Sequence, residues 1–234
     1  MPSSKIIAPY LHTIDAIVCR FNRERSRLEV LLNIRDKEPF KSLPALPGIV
    51  VNGDSMDDDL DSALNRLFTS RKVGLKPLYY EQVGTVGSKN RDPRGWSSST
   101  FYLVIVDSNC SPLEGSYFED FHKCVNSIVN LPFDHNDLCK KVNERLVSKS
   151  LYSNLPMMFL GKEVTFTDIL DITSIVIGRD ISKGSMGGRF KKMIDDGYLI
   201  DTNKVISKKG RPGHQLKINR TPSKIYLFDK SFNR

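Results

Sequence analysis

The apolar residues of this chain change their period part-way along it, and that change constrains the fold more than any other feature. Five runs rich in β-branched and aliphatic residues, Thr13 to Val18, Leu28 to Ile34, Ile49 to Val51, Tyr79 to Val86 and Ser99 to Val106, lie in the first half. Bounded by Gly, Pro, Asn and Asp, they read as strands. The polar stretch Asn22 to Arg27 makes the first two a hairpin. Pro39, Pro44 and Pro47 break up the approach to Gly48, and Asn52-Gly53 is a turn. A helix is expected from Asp54 to Lys72, because Leu60, Ala63, Leu64, Leu67 and Phe68 recur at helical spacing and Gly74 marks a stop. The polar segment Gly87 to Trp96 reads as a loop and a candidate binding loop.

In the second half the spacing is helical. Asp134 to Lys149 places Leu138, Val142 and Leu146 on one face. After Asn154-Leu155-Pro156 come helices over Thr165 to Ile177, stopped by Gly178, and Ser182 to Ile194, stopped by Gly197. Strands flanking Lys208 to Gly213 follow, the order of a winged helix-turn-helix. With 234 residues, two domains are expected, divided as 1–150 and 151–234.

Charge follows the same division. Of the net +8, residues 161–234 contribute +7, with 15 Lys and Arg against 8 Asp and Glu. A basic segment attached to a nearly neutral one is the footprint of a module that meets phosphates. Thr165 and Asp168 have capping-box spacing, and Ser182 is a good N-cap. In the helix after Ser182, Met186, Phe190 and Met193 share one face and are expected to bury against Ile169, Ile172 and Val176. Ser182, Lys183, Ser185, Arg189 and Lys192 are left as candidates for a DNA major groove. Gly184, Gly187 and Gly188 each cost about 1 kcal/mol relative to Ala in a helix, but their missing side chains would let it approach DNA closely. Lys208, Lys209, Arg211 and His214 form a candidate wing, its cations placed to neutralise phosphates.

Four cysteines without a C-x-x-C pair fit reduced thiols. The pairs His122/Cys124 and His135/Cys139 lack the spacing of zinc modules, so no metal is expected. No apolar run approaches the roughly 18 residues of a membrane span, and no secretory signal is apparent, so a soluble, cytoplasmic protein is expected.

Leu46, Pro47 and Gly48, followed by a strand, an acidic turn, a helix and Gly74-Leu75, look like the region of a Nudix box, G-x5-E-x7-R-E-U-x-E-E-x-G-U. Its glutamates are missing. Counted without gaps, Ser62-Ala63 replaces Arg-Glu and Arg66-Leu67 replaces the Glu pair; with insertions Arg71-Lys72 stands there. Two basic residues would repel the magnesium that diphosphate hydrolysis needs. The run Asp57, Asp58, Asp59 and Asp61 reads more simply as helix N-terminal charge than as replacement ligands.

The likeness extends beyond the box. Thr13 to Val18, Val30 to Arg35, Ala45 to Gly48, Tyr80 to Gln82, Arg91 to Gly95, Leu131 to His135, Phe166-Thr167 and Gly210 to Pro212 together resemble the Nudix-related transcriptional regulators of NAD metabolism, the NrtR family. The resemblance implies an α+β Nudix-like sandwich followed by a C-terminal winged helix-turn-helix. It further implies a homodimer that binds a palindromic double-stranded DNA operator and represses genes of NAD or related nucleotide metabolism. The effector it implies is ADP-ribose or a similar nucleotide, with no required cofactor. In such a cleft Arg35, Arg91 and Arg94 could fork a diphosphate, Glu81 and Asp92 could accept ribose hydroxyls, and Trp96 could stack on a base. Pro47 and Gly48 would border the ligand. Two other readings remain open at this stage: a divergent Nudix hydrolase of a nucleoside diphosphate derivative, and a winged-helix adaptor that docks on another protein.

Overall fold

Because strand side chains alternate in direction, a strand buried on both faces must be apolar along its whole length. Leu11–Asn22 (β1) follows this in its middle, the buried Asp15 excepted: Ile14, Ala16 and Val18 enter one apolar layer while Ile17, Cys19 and Phe21 enter another. The computed structural model describes residues 10–208, 211–219 and 225–232, with the side chains of 207, 208, 211 and 212 outside that description. In it β1 pairs antiparallel with Arg27–Ile34 (β2), Cys19 facing Val30. The sheet is completed by Pro44–Ala45 (β3), Gly48–Val50 (β4), Tyr79–Asp92 (β5), Gly95–Ile105 (β6) and Ser116–Asp120 (β7). Its order is β3-β2-β1-β6-β5, with β4 also on β1 and β7 also on β2. The β1–β6 pair is parallel and the remaining pairs are antiparallel.

One face of this sheet is covered by Leu60–Thr69 (α1), which buries Ala63, Leu64, Leu67 and Phe68. Each of the larger side chains contributes roughly 1.5–3 kcal/mol on burial. The helix is shorter than the expected Asp54 to Lys72. Asp57 turns back to accept the Asn52 N–H at 2.7 Å, and Asp59 caps the helix in a reciprocal box with Ser62, so the chain before Leu60 is spent in turns. The other face is covered by Phe121–Val125 (α2) and His135–Ser150 (α3), which bury Phe121, Cys124, Leu138, Val142 and Leu146.

The expected Gly87 to Trp96 loop is instead a strand hairpin with a register shift between Ser88 and Asp92. β5 and β6 stay paired to Ser88–Ser97 and close at Asp92–Gly95, leaving only Pro93 and Arg94 in the turn. The segment is polar because residues 87–90 and 93–96 are exposed, while Arg91 and Asp92 turn inward.

Beyond α3, Leu155–Phe159 forms a 3-10 turn whose residues are all buried. Glu163–Val164 (β8), Phe166–Ile177 (α4), Lys183–Asp195 (α5), Leu199–Lys208 (β9) and Arg211–Ile218 (β10) follow. The three strands form a second sheet in the order β8-β10-β9. Thr165 and Asp168 make both bonds of the capping box, and Gly178 ends α4 at φ 76°, a conformation that favours glycine. Residues 225–232 return along the chain, where Tyr226 and Phe228 exchange backbone bonds with Asn154 and Tyr152. One apolar layer runs from β1 and α3 through Met157 and Phe159 to Ile172, Met186 and Leu216. Among the described residues no helix is long and apolar enough to cross a membrane.

Candidate functional site

The ends of several elements converge where β1 meets β4 and β2 reaches its last residue. Together with the turn after α1, the β5–β6 turn and the start of α3, they enclose a cleft of about 570 Å³. Arg35, Gly48, Arg91, Asp92 and Arg94 line it, as do Asp15, Arg71, Lys72, Phe133 and His135.

Arg91 is buried and forks Asp134 at 2.9 and 3.0 Å, with a further bond to Ser97 at 3.2 Å and Asp15 at 3.5 Å. Asp134 precedes α3 yet accepts no cap bond from the helix, because its carboxylate is taken by Arg91. Arg94 forks Asp92 at 2.7 and 3.0 Å. Burial raises the Asp92 pKa, but the Arg94 bonds outweigh it and hold the carboxylate below its ordinary value. Arg35 differs: it donates to the Pro39 carbonyl at 2.8 Å and lies over the Phe133 ring at 4.9 Å, with no carboxylate bonded to it among the described residues. His135 accepts the Leu46 N–H through Nδ1 at 3.1 Å, pinning the segment that leads into Gly48.

Three expected contacts lie elsewhere. Glu81 sits far up β5 from the turn, where Arg145 at 3.2 Å and Lys149 at 2.5 Å hold it against α3. Trp96 is 51% exposed, packs edge-on against Tyr10 at 5.1 Å and does not line the cleft. Pro47 does not line the cleft; its carbonyl accepts the Ala16 N–H at 2.9 Å. Lys72, Arg71, Phe133 and His135 were not singled out as cleft residues, although the first two fall on degraded box positions and the last two within Leu131 to His135.

On the basic side, Ser182 caps α5 by accepting the Ser185 N–H at 3.1 Å, and Lys183, Gly184, Ser185, Gly188 and Lys191 are exposed. Lys191 was missed although it lies one and two turns beyond the glycines. Arg189 is not on this face. It is buried, donates to the Leu151 and Lys230 carbonyls at 2.5 and 2.8 Å, and stacks on Phe228 and Phe232 at 4.3 and 3.4 Å. The returning tail claims that flank of the helix, and burial lowers the Arg189 pKa to about 10. Lys192 is half-buried and paired with Asp229 at 2.6 Å. His214 is exposed, 3.4 Å from Asp201. Lys209 and the side chains of Lys208 and Arg211 lie outside the described residues.

No family model matches the chain. It is 29% identical over 230 residues to the ADPR responsive transcriptional repressor NtrR of Acinetobacter baylyi, covering 95% of this chain and 85% of that protein. Shewanella oneidensis NrtR, crystallised with a 27mer DNA, superposes with a TM-score of 0.81 at 26% identity, over 94% of this chain and 99% of that one. The chain is a homologue of the Nudix-related NrtR transcriptional regulators. The NUDIX domain of Shewanella oneidensis NrtR, crystallised with ADP ribose, matches 61% of this chain and 92% of its own length, with 28% identity and a TM-score of 0.51.

A Nudix cleft implies a divalent metal, and the residues present do not fit one. Lys72 directs its ammonium to the Gly48 carbonyl at 2.5 Å. Asp57, the buried member of the acidic run, is spent on Arg66 at 2.6 and 2.8 Å, and Asp59 on its cap. Among the described residues no group of three or more metal-ligating side chains gathers. At this edge of the cleft stand Arg71 and Lys72, the residues that fall on the Glu pair of the box when insertions are allowed.

Proposed function

We propose that this chain is a DNA-binding transcriptional regulator, a repressor, that answers to ADP-ribose or a similar nucleotide held in a non-hydrolysing Nudix-like domain. The observation that carries the reading is the end-to-end likeness to an NrtR chain crystallised on DNA. The arginine-lined cleft supports the ligand half of it. Residues 1–150 form the sensing part and residues 151–234 the winged helix-turn-helix. α5 enters the major groove of a palindromic operator, presenting Ser182, Lys183, Ser185 and Lys191, and the β9–β10 hairpin serves as the wing. The regulated genes belong to NAD or related nucleotide metabolism. The protein acts as a homodimer in the cytoplasm, because two half-sites one turn apart require two recognition helices.

Against hydrolysis stands the cleft chemistry: an ammonium cannot generate a metal-bound hydroxide. ADP-ribose incubated with the protein and magnesium is therefore expected to remain intact, by chromatographic assay at high protein concentration. DNA binding is tested by fluorescence anisotropy on a fragment of the gene's own upstream region and on a scrambled control, across a salt series. Preference for the native fragment, with affinity falling steeply as salt rises, is the expected result. Equal, weak binding to both fragments would move the reading to a protein-docking module.

A further inference from the structure

The cations of the cleft are not equivalent. Arg91 is buried and tied to Asp134, Asp15 and Ser97, and Arg94, although half-exposed, has its charge paired with Asp92. Lys72 makes no ion pair among the described residues, and neither does Arg71. The Lys72 ammonium has three N–H groups and spends one on the Gly48 carbonyl.

Both partners in that contact are fixed from behind. Asn33 donates to the Lys72 carbonyl at 2.8 Å, and the next side chain, Val73, is fully packed. Gly48 is registered opposite Asp15 across the β1–β4 pair, and a Cβ there would lie 2.2 Å from the Asp15 carboxylate oxygen. No side chain can be added at 48 without displacing Asp15. The sequence therefore holds a backbone carbonyl and an ammonium together at the mouth of a cleft, beside a second unpaired cation, Arg71. Lys72 is exposed at the cleft edge, where the nearby Arg35 guanidinium imposes an electrostatic penalty on its charge and Asp15 offsets part of it. An arriving anion would relieve that penalty.

We propose that Lys72, assisted by Arg71, is a built-in substitute for the divalent metal, holding the diphosphate of the nucleotide effector against the Gly48 edge of the cleft without magnesium. This rests on the effector reading above and adds to it the subsite and its independence from metal. An ammonium and a guanidinium together balance a diphosphate diester, which carries one negative charge on each phosphate. Neither cation can deliver an activated water, so the same exchange that keeps the ligand bound also keeps it whole.

The test is calorimetric titration of the full chain with ADP-ribose and, separately, with inorganic pyrophosphate, each in EDTA and in magnesium. The wild type is expected to bind ADP-ribose equally in both buffers. Lys72→Ala is expected to weaken binding about tenfold or more, and Lys72→Arg to retain most of it, as loss and retention of a charge-assisted bond would require. The thermal melt of each variant reports that it is folded. A wild type that binds only with magnesium, or a Lys72→Ala variant that binds both ligands undiminished, would overturn the proposal. If pyrophosphate binds in EDTA through Lys72 while ADP-ribose does not bind, the effector reading fails and the subsite stands. If neither ligand binds, both are overturned.

Discussion

His135 joins two parts of the cleft, through its bond to the Leu46 N–H and an Nε2 that lies 3.8 Å from Asp15. Burial lowers its pKa below 6.5, and the pull of Asp15 and Asp134 does not cancel that shift. The unfolded chain therefore binds more protons at this position once pH falls below 6.5. Its contribution to stability is complete above about 6.5 and is lost as pH drops from there through the lower folded value. Urea melts between about pH 7 and about pH 5 are expected to show a loss that His135→Gln shares only in part; parallel curves for the two proteins would refute this. Arg91→Ala is expected to cost about 3 kcal/mol, because it leaves the buried Asp15 and the mostly buried Asp134 carboxylates without their cation. An Arg91 that served only a ligand would leave the melt of the free protein unchanged. Arg35, Gly48, Arg91, Asp92 and Arg94 could be named from sequence because they stand beside turns and in short recognisable strings. Their partners could not, since Asp134 is 43 residues from Arg91. Glu81 and Trp96, expected at the ligand, do not line the cleft, because the strand pairing that carries each away from it spans residues far apart in the chain.

At the scale of elements, α5 carries the clearest conflict between folding and function. Gly187 and Gly188 have room for a Cβ, with nothing within 4 Å, so no internal packing calls for glycine there. Gly187→Ala is expected to raise stability by up to about 1 kcal/mol and to weaken DNA affinity, because the added methyl separates the helix from the groove. A melt and an anisotropy titration on the same variant check both signs; gains in both would show that this face does not approach DNA. On the opposite flank Arg189 fastens α5 to the returning tail. Arg189→Ala is expected to destabilise the protein by roughly 2–3 kcal/mol, through the loss of two bonds to carbonyls and two ring contacts. The strands and the later helices were legible because period and caps agreed: both bonds of the Thr165–Asp168 box formed. The start of α1 was not legible, because Asp54 to Asp58 suits a helix N-terminus as well as a turn. β7 and the 3-10 turn at Leu155–Phe159 carry no period long enough to read.

In the whole molecule the seven-stranded sheet and the helix–helix–hairpin unit share one apolar layer. Residues 155–160 are buried, and α3, which supplies His135 to the cleft, packs directly on α4. Arg23, in the β1–β2 turn, lies 3.9 Å from Asp168 at the start of α4. A ligand that repositions the start of α3 therefore has a continuous packed route to α5, and a small rotation there changes the spacing of two half-site contacts in a dimer. The coupling is reciprocal, so whatever ADP-ribose does to operator affinity the operator must do to ADP-ribose affinity. The most direct test is to titrate the full chain onto its own upstream fragment at fixed salt, with and without ADP-ribose and with EDTA present. The account predicts selective binding whose midpoint shifts with the nucleotide. A midpoint that stays the same at saturating ADP-ribose would contradict it.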